Sequence, residues 1–346
     1  MKTVVSTDLL VEKNFAMEIV QTFLEVYEDA TMYTLAHKPG EILGPIEQRK
    51  ITSSFLTHKI KNEQDLKKQS WLVPSACKKL HIPCSTDLIL NVSRGLSQGI
   101  SKCDKPKQIT YLYDTAYLPG SGSLREKVFG SMVKNWAKKS FEQASEVWLS
   151  HESYQDFVKT GSDTKVKIVP PFIHVQDFPV GPKGVFDHNY YVINAESVDD
   201  ILAEKLMRLF AKKGTPYIFV GQDAHLERLK TQEKQNLFHG YKCNGELAPL
   251  FAASRAVIDL TKEAFPTFAL SALSTGRPVI STDNPFFDQK IKENSILVEK
   301  KPEEEIEKAI DQMDSEFAQY DPDQLHNTIN KFHQARFKGE IIRLNP

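Results

Sequence analysis

Short apolar runs alternate with longer amphipathic segments along nearly the whole chain, and this alternation restricts it to an α/β architecture with mostly parallel sheets. Strands are expected at Thr3–Ser6, Met32–Leu35, Asp87–Asn91, Gln108–Tyr113, Glu146–Ser150 and Lys165–Val169. Between the first two, Phe15, Ile19, Val20, Phe23, Leu24 and Tyr27 recur at helical spacing; Val128, Phe129, Met132, Val133, Trp136 and Phe141 mark another helix. Pro170-Pro171 and Pro179-Val-Gly-Pro-Lys-Gly184 then punctuate the chain, which places a domain boundary near residue 180. A second α/β series follows, with strands expected at Tyr190–Asn194, Tyr217–Val220, Asn236–Phe238, Ala256–Leu260, Pro278–Ser281 and Ser295–Val298.

Composition narrows the class. A 346-residue chain with 40% hydrophobic residues can build two cores. A net charge of −1 supplies no basic field for nucleic acid. No apolar run approaches the roughly 18 residues needed to cross a bilayer, and Met1–Leu10 does not read as a signal peptide. Cys77, Cys84, Cys103 and Cys243 show no metal-type pairing with histidine and are too few for a disulfide framework, while His81, His174 and His239 lack ligand spacing. No metal is therefore expected, and a reducing cytoplasm is the expected location. No Gly-x-Gly-x-x-Gly follows any strand, which argues against a dinucleotide oxidoreductase.

The densest local signal is Glu263-Ala-Phe-Pro-Thr-Phe-Ala-Leu-Ser271, followed by Ala-Leu-Ser-Thr-Gly276-Arg-Pro278-Val-Ile280. Pro266 suits the first turn of a helix, Gly276 closes it, and Pro278-Val-Ile begins a buried strand. The N–H groups near Thr267 and Phe268 would then form an anion site that a diphosphate can use. Ser271, one turn on, offers a hydroxyl but no charge. An ordinary loop, helix and strand is the plain alternative.

In these residues the chain resembles glycosyltransferase family 4, retaining sugar-nucleotide enzymes of the GT-B fold whose segment reads Glu-x-Phe-Gly-x-x-x-x-Glu-Ala-x-x-x-Gly-x-Pro-Val. Further likenesses are Lys165-Val-Lys-Ile-Val-Pro-Pro-Phe-Ile, Tyr217-Ile-Phe-Val-Gly221-Gln, His239-Gly240-Tyr241, the run from Glu246 to Asp259, and Phe332–Phe337. The resemblance implies two Rossmann-like domains whose parallel sheets face a central cleft: an acceptor-side domain over residues 1–180 and a nucleotide-sugar-side domain over 181–325. A C-terminal helix over 326–346 would return to the first domain. It also implies a UDP- or GDP-sugar ligand with no further cofactor. Glu263 is the catalytic candidate; Thr267, Phe268, Ser271, Gly221 and Tyr241 are donor-side candidates, and Tyr113 and Asp114 border the cleft from the first domain.

The departures are systematic. The place of the family's glycine-rich loop after the first strand reads Leu10-Val-Glu-Lys-Asn-Phe-Ala16, and the place of its histidine reads Tyr113-Asp114. Ser271 stands for the second acid. The family's Arg-x4-Lys pair, which neutralises the donor diphosphate, falls on Asn194-Ala-Glu-Ser-Val-Asp-Asp200. Acids there oppose the positive field that a leaving phosphate needs. The turn after the donor strand becomes Thr282-Asp-Asn-Pro285-Phe-Phe, where Pro285 has no N–H to donate.

Asp87, Asp114 and Asp259 sit near strand ends, where turn chemistry also places acids. The basic helix over 125–141, with Arg125, Lys127, Lys134, Lys138 and Lys139, can lie on an anionic membrane at the inner face, but its apolar residues are expected to face the core and its lysines water. Two functions follow. The preferred one is a family 4-like protein with reduced or no sugar-nucleotide turnover and a glycan-, nucleotide- or protein-binding role. The alternative is an active retaining hexosyltransferase in cell-surface polysaccharide synthesis.

Overall fold

A computed structural model describes the chain apart from residues 43, 120–123, 162, 183–186, 222–225, 227–237, 241–242, 262–263, 300–302 and 345–346, together with the side chains of 124–128. Two compact units emerge, Met1–Pro171 with Phe337–Pro346, and Phe172–Arg336. The division lies at Pro171 rather than near 180 because the residues after it pack on second-unit elements. The Ile173 N–H donates to the Phe332 carbonyl (2.8 Å), the Phe178 ring stacks on Phe251 at 6.0 Å, and Ser274 Oγ donates to the Phe178 carbonyl (2.9 Å).

The first unit is a seven-stranded sheet of β1 (Thr3–Leu10), β2 (Thr31–His37), β3 (Ile51–Ser53), β4 (Leu88–Ser93), β5 (Lys107–Leu112), β6 (Glu146–Leu149) and β7 (Lys165–Ile168), in the order β3-β2-β1-β4-β5-β6-β7. Every pairing is parallel. β1 and β4 are buried at every position although they contain Ser6, Thr7, Asp8 and Asn91; Asn91 bonds to Ser6, and Asp8 accepts backbone N–H groups of the turn after β4. The Asn91 amide donates to Ser6 Oγ and Ser97 Oγ, both at 2.9 Å. Helix α1 (Phe15–Val26) buries Ile19, Val20, Phe23 and Leu24, each worth about 1.5–3 kcal/mol of transfer free energy. α2 (Glu63–Gln69) is capped by the Asn62 side chain, and α3 (Val73–Lys79) begins with Pro74 in its first turn.

α4 (Leu124–Lys139) departs from the expected burial. Val133 and Ala137 are buried and Lys139 faces water, but Phe129 and Met132 are 40% and 50% exposed, beside Trp71 at 40%. The Trp71 and Phe129 ring centroids lie 6.5 Å apart. Arg125, Lys127 and Val128 fall outside the described side chains.

The second unit holds β8 (Tyr191–Asn194), β9 (Tyr217–Gly221), β10 (Phe238–Gly240), β11 (Ala256–Asp259), β12 (Val279–Thr282) and β13 (Ser295–Val298), ordered β10-β9-β8-β11-β12-β13 and again wholly parallel. α5 (Asp200–Lys213) starts where Asp199 accepts the Leu202 N–H and stops at Gly214 in the left-handed region, φ 65°. α6 (Asn244–Ala253), α7 (Thr267–Ser274), α8 (Gln289–Glu293), α9 (Glu303–Glu316) and α10 (Pro322–Thr328) complete the unit, and α11 (Gln334–Ile342) ends the chain. The core joins Tyr191, Ile193, Phe219, Ile258 and Ile280 of the sheet and Phe210 of α5 to Ile306, Ile310 and Met313 of α9. Gly276 closes α7 at φ 76°, where a Cβ would meet the Pro322 Cα and carbonyl oxygen at 2.9 Å. Only glycine fits both demands. From the C-terminal segment, Phe337 packs edge-on to Tyr111 at 5.4 Å within the first unit.

Candidate functional site

In open parallel sheets, ligands collect beyond the carboxyl ends of the strands, at the crevice where strand order reverses. That switch point lies between β1 and β4 in the first unit and between β8 and β11 in the second.

At the second-unit switch point, β8 ends in Asn194 and β11 in Asp259. Asp259 is fully buried. Its Oδ1 accepts from the Asn194 amide (2.9 Å) and the Thr261 N–H (3.2 Å), and its Oδ2 accepts the Ala269 N–H (3.1 Å). The carboxylate thus sits at the start of α7, where an incoming anion was expected. Thr267 N–H is also engaged, donating to the Phe265 carbonyl (3.0 Å), and Leu270 N–H donates to the Pro266 carbonyl (3.0 Å). The protein's own acid therefore takes the Ala269 N–H, one residue beyond Phe268, in the first turn of the helix on which the Thr267 and Phe268 anion site is expected. Pro266 caps the helix from outside rather than occupying its first turn.

Phe268 and Ser271 are buried, the former with its ring 4.8 Å from Phe251. Gly221 ends β9 against the turn after β8, so closely that a Cβ would lie 2.8 Å from Ala195 Cβ. In that turn, Glu196 N–H donates to Asn194 Oδ1 (3.1 Å), and Asp199 serves as the α5 cap. The turn after β12 is closed by Asn284, whose Oδ1 accepts the Phe286 N–H (3.0 Å). Phe286 packs edge-on to Phe265 at 5.1 Å, and Phe265 contacts Phe332 at 5.4 Å. The three rings form one buried cluster, of which Phe265 lies two residues before α7. Glu263 and Tyr241 lie outside the described residues.

The first-unit switch point repeats the device. Asp8 of β1 is buried and accepts three backbone N–H bonds from the turn after β4: Arg94 (2.6 Å), Leu96 (3.0 Å) and Ser97 (2.7 Å). Burial nevertheless dominates and lifts its carboxyl to about 6. Arg94 was not singled out by the sequence. Its guanidinium donates to both Asp114 oxygens (2.9–3.1 Å) and to Glu63 (3.1 Å), and lies 4.4 Å over the Tyr117 ring. Burial opposes its charge, but Asp114, Tyr117 and Glu63 outweigh that and raise its pKa. Tyr117 donates to Glu63 (2.6 Å). Tyr113 is buried, with its ring 5.7 Å from Phe15. Asp114 thus holds a structural ion pair, and the cation at this edge is already neutralised by two acids. Tyr113 and Asp114 belong to one unit and Thr267, Phe268, Ser271 and Gly221 to the other.

The histidine and cysteine expectation also needs correction. Cys84 and Cys103 form a disulfide, and His81 stands beside both sulfurs. His81-Ile-Pro-Cys84 was the available signal; the missing partner lay 19 residues further on, brought back by sheet topology. Among the described residues no helix is long and apolar enough to cross a membrane.

Residues 189–315 match the family model described as glycosyl transferases group 1. Among solved structures, the chain is similar to sucrose-phosphate synthase from Thermosynechococcus elongatus (TM-score 0.70, 15% identity, covering 99% of this chain and 98% of that one). It is likewise similar to HepE from Anabaena in complex with UDP and glucose (0.65, 14%, 99% of each chain) and to the apo lipopolysaccharide outer core galactosyltransferase WaaB (0.60, 12%, 100% of each). No curated protein sequence matches the chain. These likenesses give the fold as GT-B and bear out the resemblance to glycosyltransferase family 4.

Proposed function

We propose that this is a glycosyltransferase family 4-like protein whose donor pocket has been rebuilt for binding with reduced or no sugar-nucleotide turnover. The observation that carries the reading is the buried Asp259 carboxylate at the start of α7, bonded to the Ala269 N–H. Cleaving a sugar from a nucleoside diphosphate places new negative charge on the departing phosphate, and preformed positive groups normally supply much of the rate. Here an acid holds the helix start, acids follow β8, and Arg94 is paired with Asp114 and Glu63. The ring cluster of Phe265, Phe286 and Phe332 adds apolar cover where a polar sugar would need partners.

The ligand in this reading is a glycan, a nucleotide or a protein partner recognised without phosphate cleavage. UDP and UDP-glucose are the first compounds to test, since HepE structures contain them. Calorimetry with UDP, GDP and their sugars, beside an assay for released nucleotide, separates this reading from an active retaining transferase. Nucleotide release that is lost in Glu263→Ala would establish the active enzyme instead. Peripheral membrane contact through residues 125–141 gains support from the exposed Trp71, Phe129 and Met132 near the lysines of α4.

A further inference from the structure

The sugar-nucleotide reading makes no use of a cluster at the amino-terminal edge of the first sheet. Cys84 lies in the connection entering β4 and Cys103 in the connection entering β5. A six-residue strand separates this edge from Arg94 at the carboxyl end of β4, a span of about 20 Å. His81 Nε2 lies 3.5 Å from Cys103 Sγ and 4.0 Å from Cys84 Sγ, and the three atoms fall within 4.8 Å of one another. The two cysteine Cα atoms are 5.3 Å apart.

The imidazole is held in this direction. Its Nδ1 hydrogen-bonds with Ser101 Oγ (3.2 Å), which turns Nε2 toward the sulfurs. The backbone beneath is fixed by a parallel bridge between His81 and Ser101, by the Ile82 N–H donating to the Ser101 carbonyl (2.8 Å), and by the Thr86 N–H closing a turn on Pro83 (3.0 Å). A ring whose second nitrogen is fixed by a neighbour has the arrangement expected of a metal ligand.

We propose that Cys84 and Cys103, once reduced, form with His81 a site for a thiophilic divalent cation of the zinc class, with the fourth position open to solvent. A tetrahedral ion with metal–sulfur bonds of about 2.3 Å and a metal–nitrogen bond of about 2.0 Å holds nitrogen and sulfur about 3.5 Å apart. Of the nitrogen–sulfur separations here, 3.5 Å to Cys103 meets that value and 4.0 Å to Cys84 is slightly longer. The sulfurs must first be freed. A phosphine and a water supply two electrons and two protons, leaving as the phosphine oxide, and the disulfide becomes two thiols; small thiols do the same by becoming a disulfide themselves. The ion then displaces one proton from each thiol to solvent and takes the lone pair of neutral Nε2. Disulfide and metal are mutually exclusive, so the site ties the same two connections in either redox state. His81 and Cys84 are exposed, which leaves the ion exchangeable.

The test uses the full chain carrying Cys243→Ser, which removes the exposed free thiol. After phosphine reduction it is titrated with Co²⁺, and Zn²⁺ is then added. One equivalent of cobalt per chain is expected, with thiolate-to-metal charge-transfer absorption that Zn²⁺ abolishes. The oxidised chain should show no such band. Cys103→Ser should lose the band, and His81→Gln, which removes a ligand outright, should weaken binding by more than the roughly tenfold that loss of an outer-shell partner costs. Wild type whose thiols are alkylated after reduction gives the same comparison without relying on the folding of a variant. A reduced chain with no thiolate–cobalt band, or a band that survives alkylation or Cys103→Ser, overturns the proposal.

Discussion

Asp259→Asn should convert the start of α7 from a site that repels phosphate to one that accepts it. The exchange keeps size and shape but removes a buried charge. Asp259 Oδ2 lies 3.1 Å from the Ala269 nitrogen, so a phosphate oxygen drawn to the same helix end would come within about 5 Å of the carboxylate. With an effective dielectric of about 20, two unit charges at that distance repel by about 3 kcal/mol, or roughly two hundredfold in Kd. Part of this gain will be offset, because an amide accepts fewer bonds than a carboxylate and Asn194 must reorient its own amide. The loss of charged hydrogen bonds should lower stability by about 1.5–3 kcal/mol. The expected outcome is a gain of one to two orders of magnitude in UDP affinity by calorimetry, together with a lower melting temperature. A folded Asp259→Asn variant whose UDP affinity equals that of wild type would refute the reasoning, as would micromolar UDP binding by wild type.

Four further outcomes are expected. Gly276→Ala combines a left-handed backbone with contacts at 2.9 Å to Pro322 backbone atoms, and should cost well over 1 kcal/mol in denaturant unfolding; a neutral effect would contradict the observed packing. Asp8 has its carboxyl raised from 3.8 to about 6 on folding, so the native state holds a proton that the unfolded chain releases, and the stability from this group is full below about pH 4 and falls as pH rises to about 6. Wild type should therefore lose about 2–3 kcal/mol relative to Asp8→Asn between pH 4 and 7 in urea titrations, whereas a constant difference would dismiss the shift. Arg94→Ala leaves Asp114, whose side chain is 4% exposed, without its cation and should destabilise the first unit by about 3–5 kcal/mol, read as an early calorimetric transition. Finally, Trp71→Ser with Phe129→Ser should reduce sedimentation with anionic vesicles at low salt; no binding by wild type would end the membrane reading.

The fold was legible because its signals are local and repeated. Phe15 to Tyr27 specified α1 almost to the residue, and Ser295–Val298 was read without error. Strand ends were less clear. β1 runs on to Leu10 through Thr7 and Asp8, whose polarity reads as a turn until their buried partners are known. β3 is only three residues long, with no fully buried position, and gave no pattern. The helix over 124–139 was visible, but spacing alone could not tell that Phe129 and Met132 face outward beside Trp71, a residue far away in sequence. The same limit hid the partners of Asp114, Asp259 and His81, each set by strand order rather than by neighbours along the chain.

The two switch points share one arrangement of a buried acid and backbone donors. In each unit the crevice opens because neighbouring strands send their connections in opposite directions, leaving unpaired backbone N–H groups that commonly serve a ligand. Here each crevice is occupied by a buried aspartate of one central strand. Asp8 takes the N–H groups of Arg94, Leu96 and Ser97, and Asp259 takes those of Thr261 and Ala269 along with the Asn194 amide. Burying a carboxylate carries a large desolvation penalty unless its acceptor sites are satisfied, so these positions favour acids that fit the donors in place of a bound anion. Exchanging both, Asp8→Asn with Asp259→Asn, should be additive in stability because the bonding partners named for each lie within its own unit. Their effects on UDP binding should instead fall on Asp259 alone if the α7 start is the phosphate position, and an equal contribution from Asp8 would move that position elsewhere.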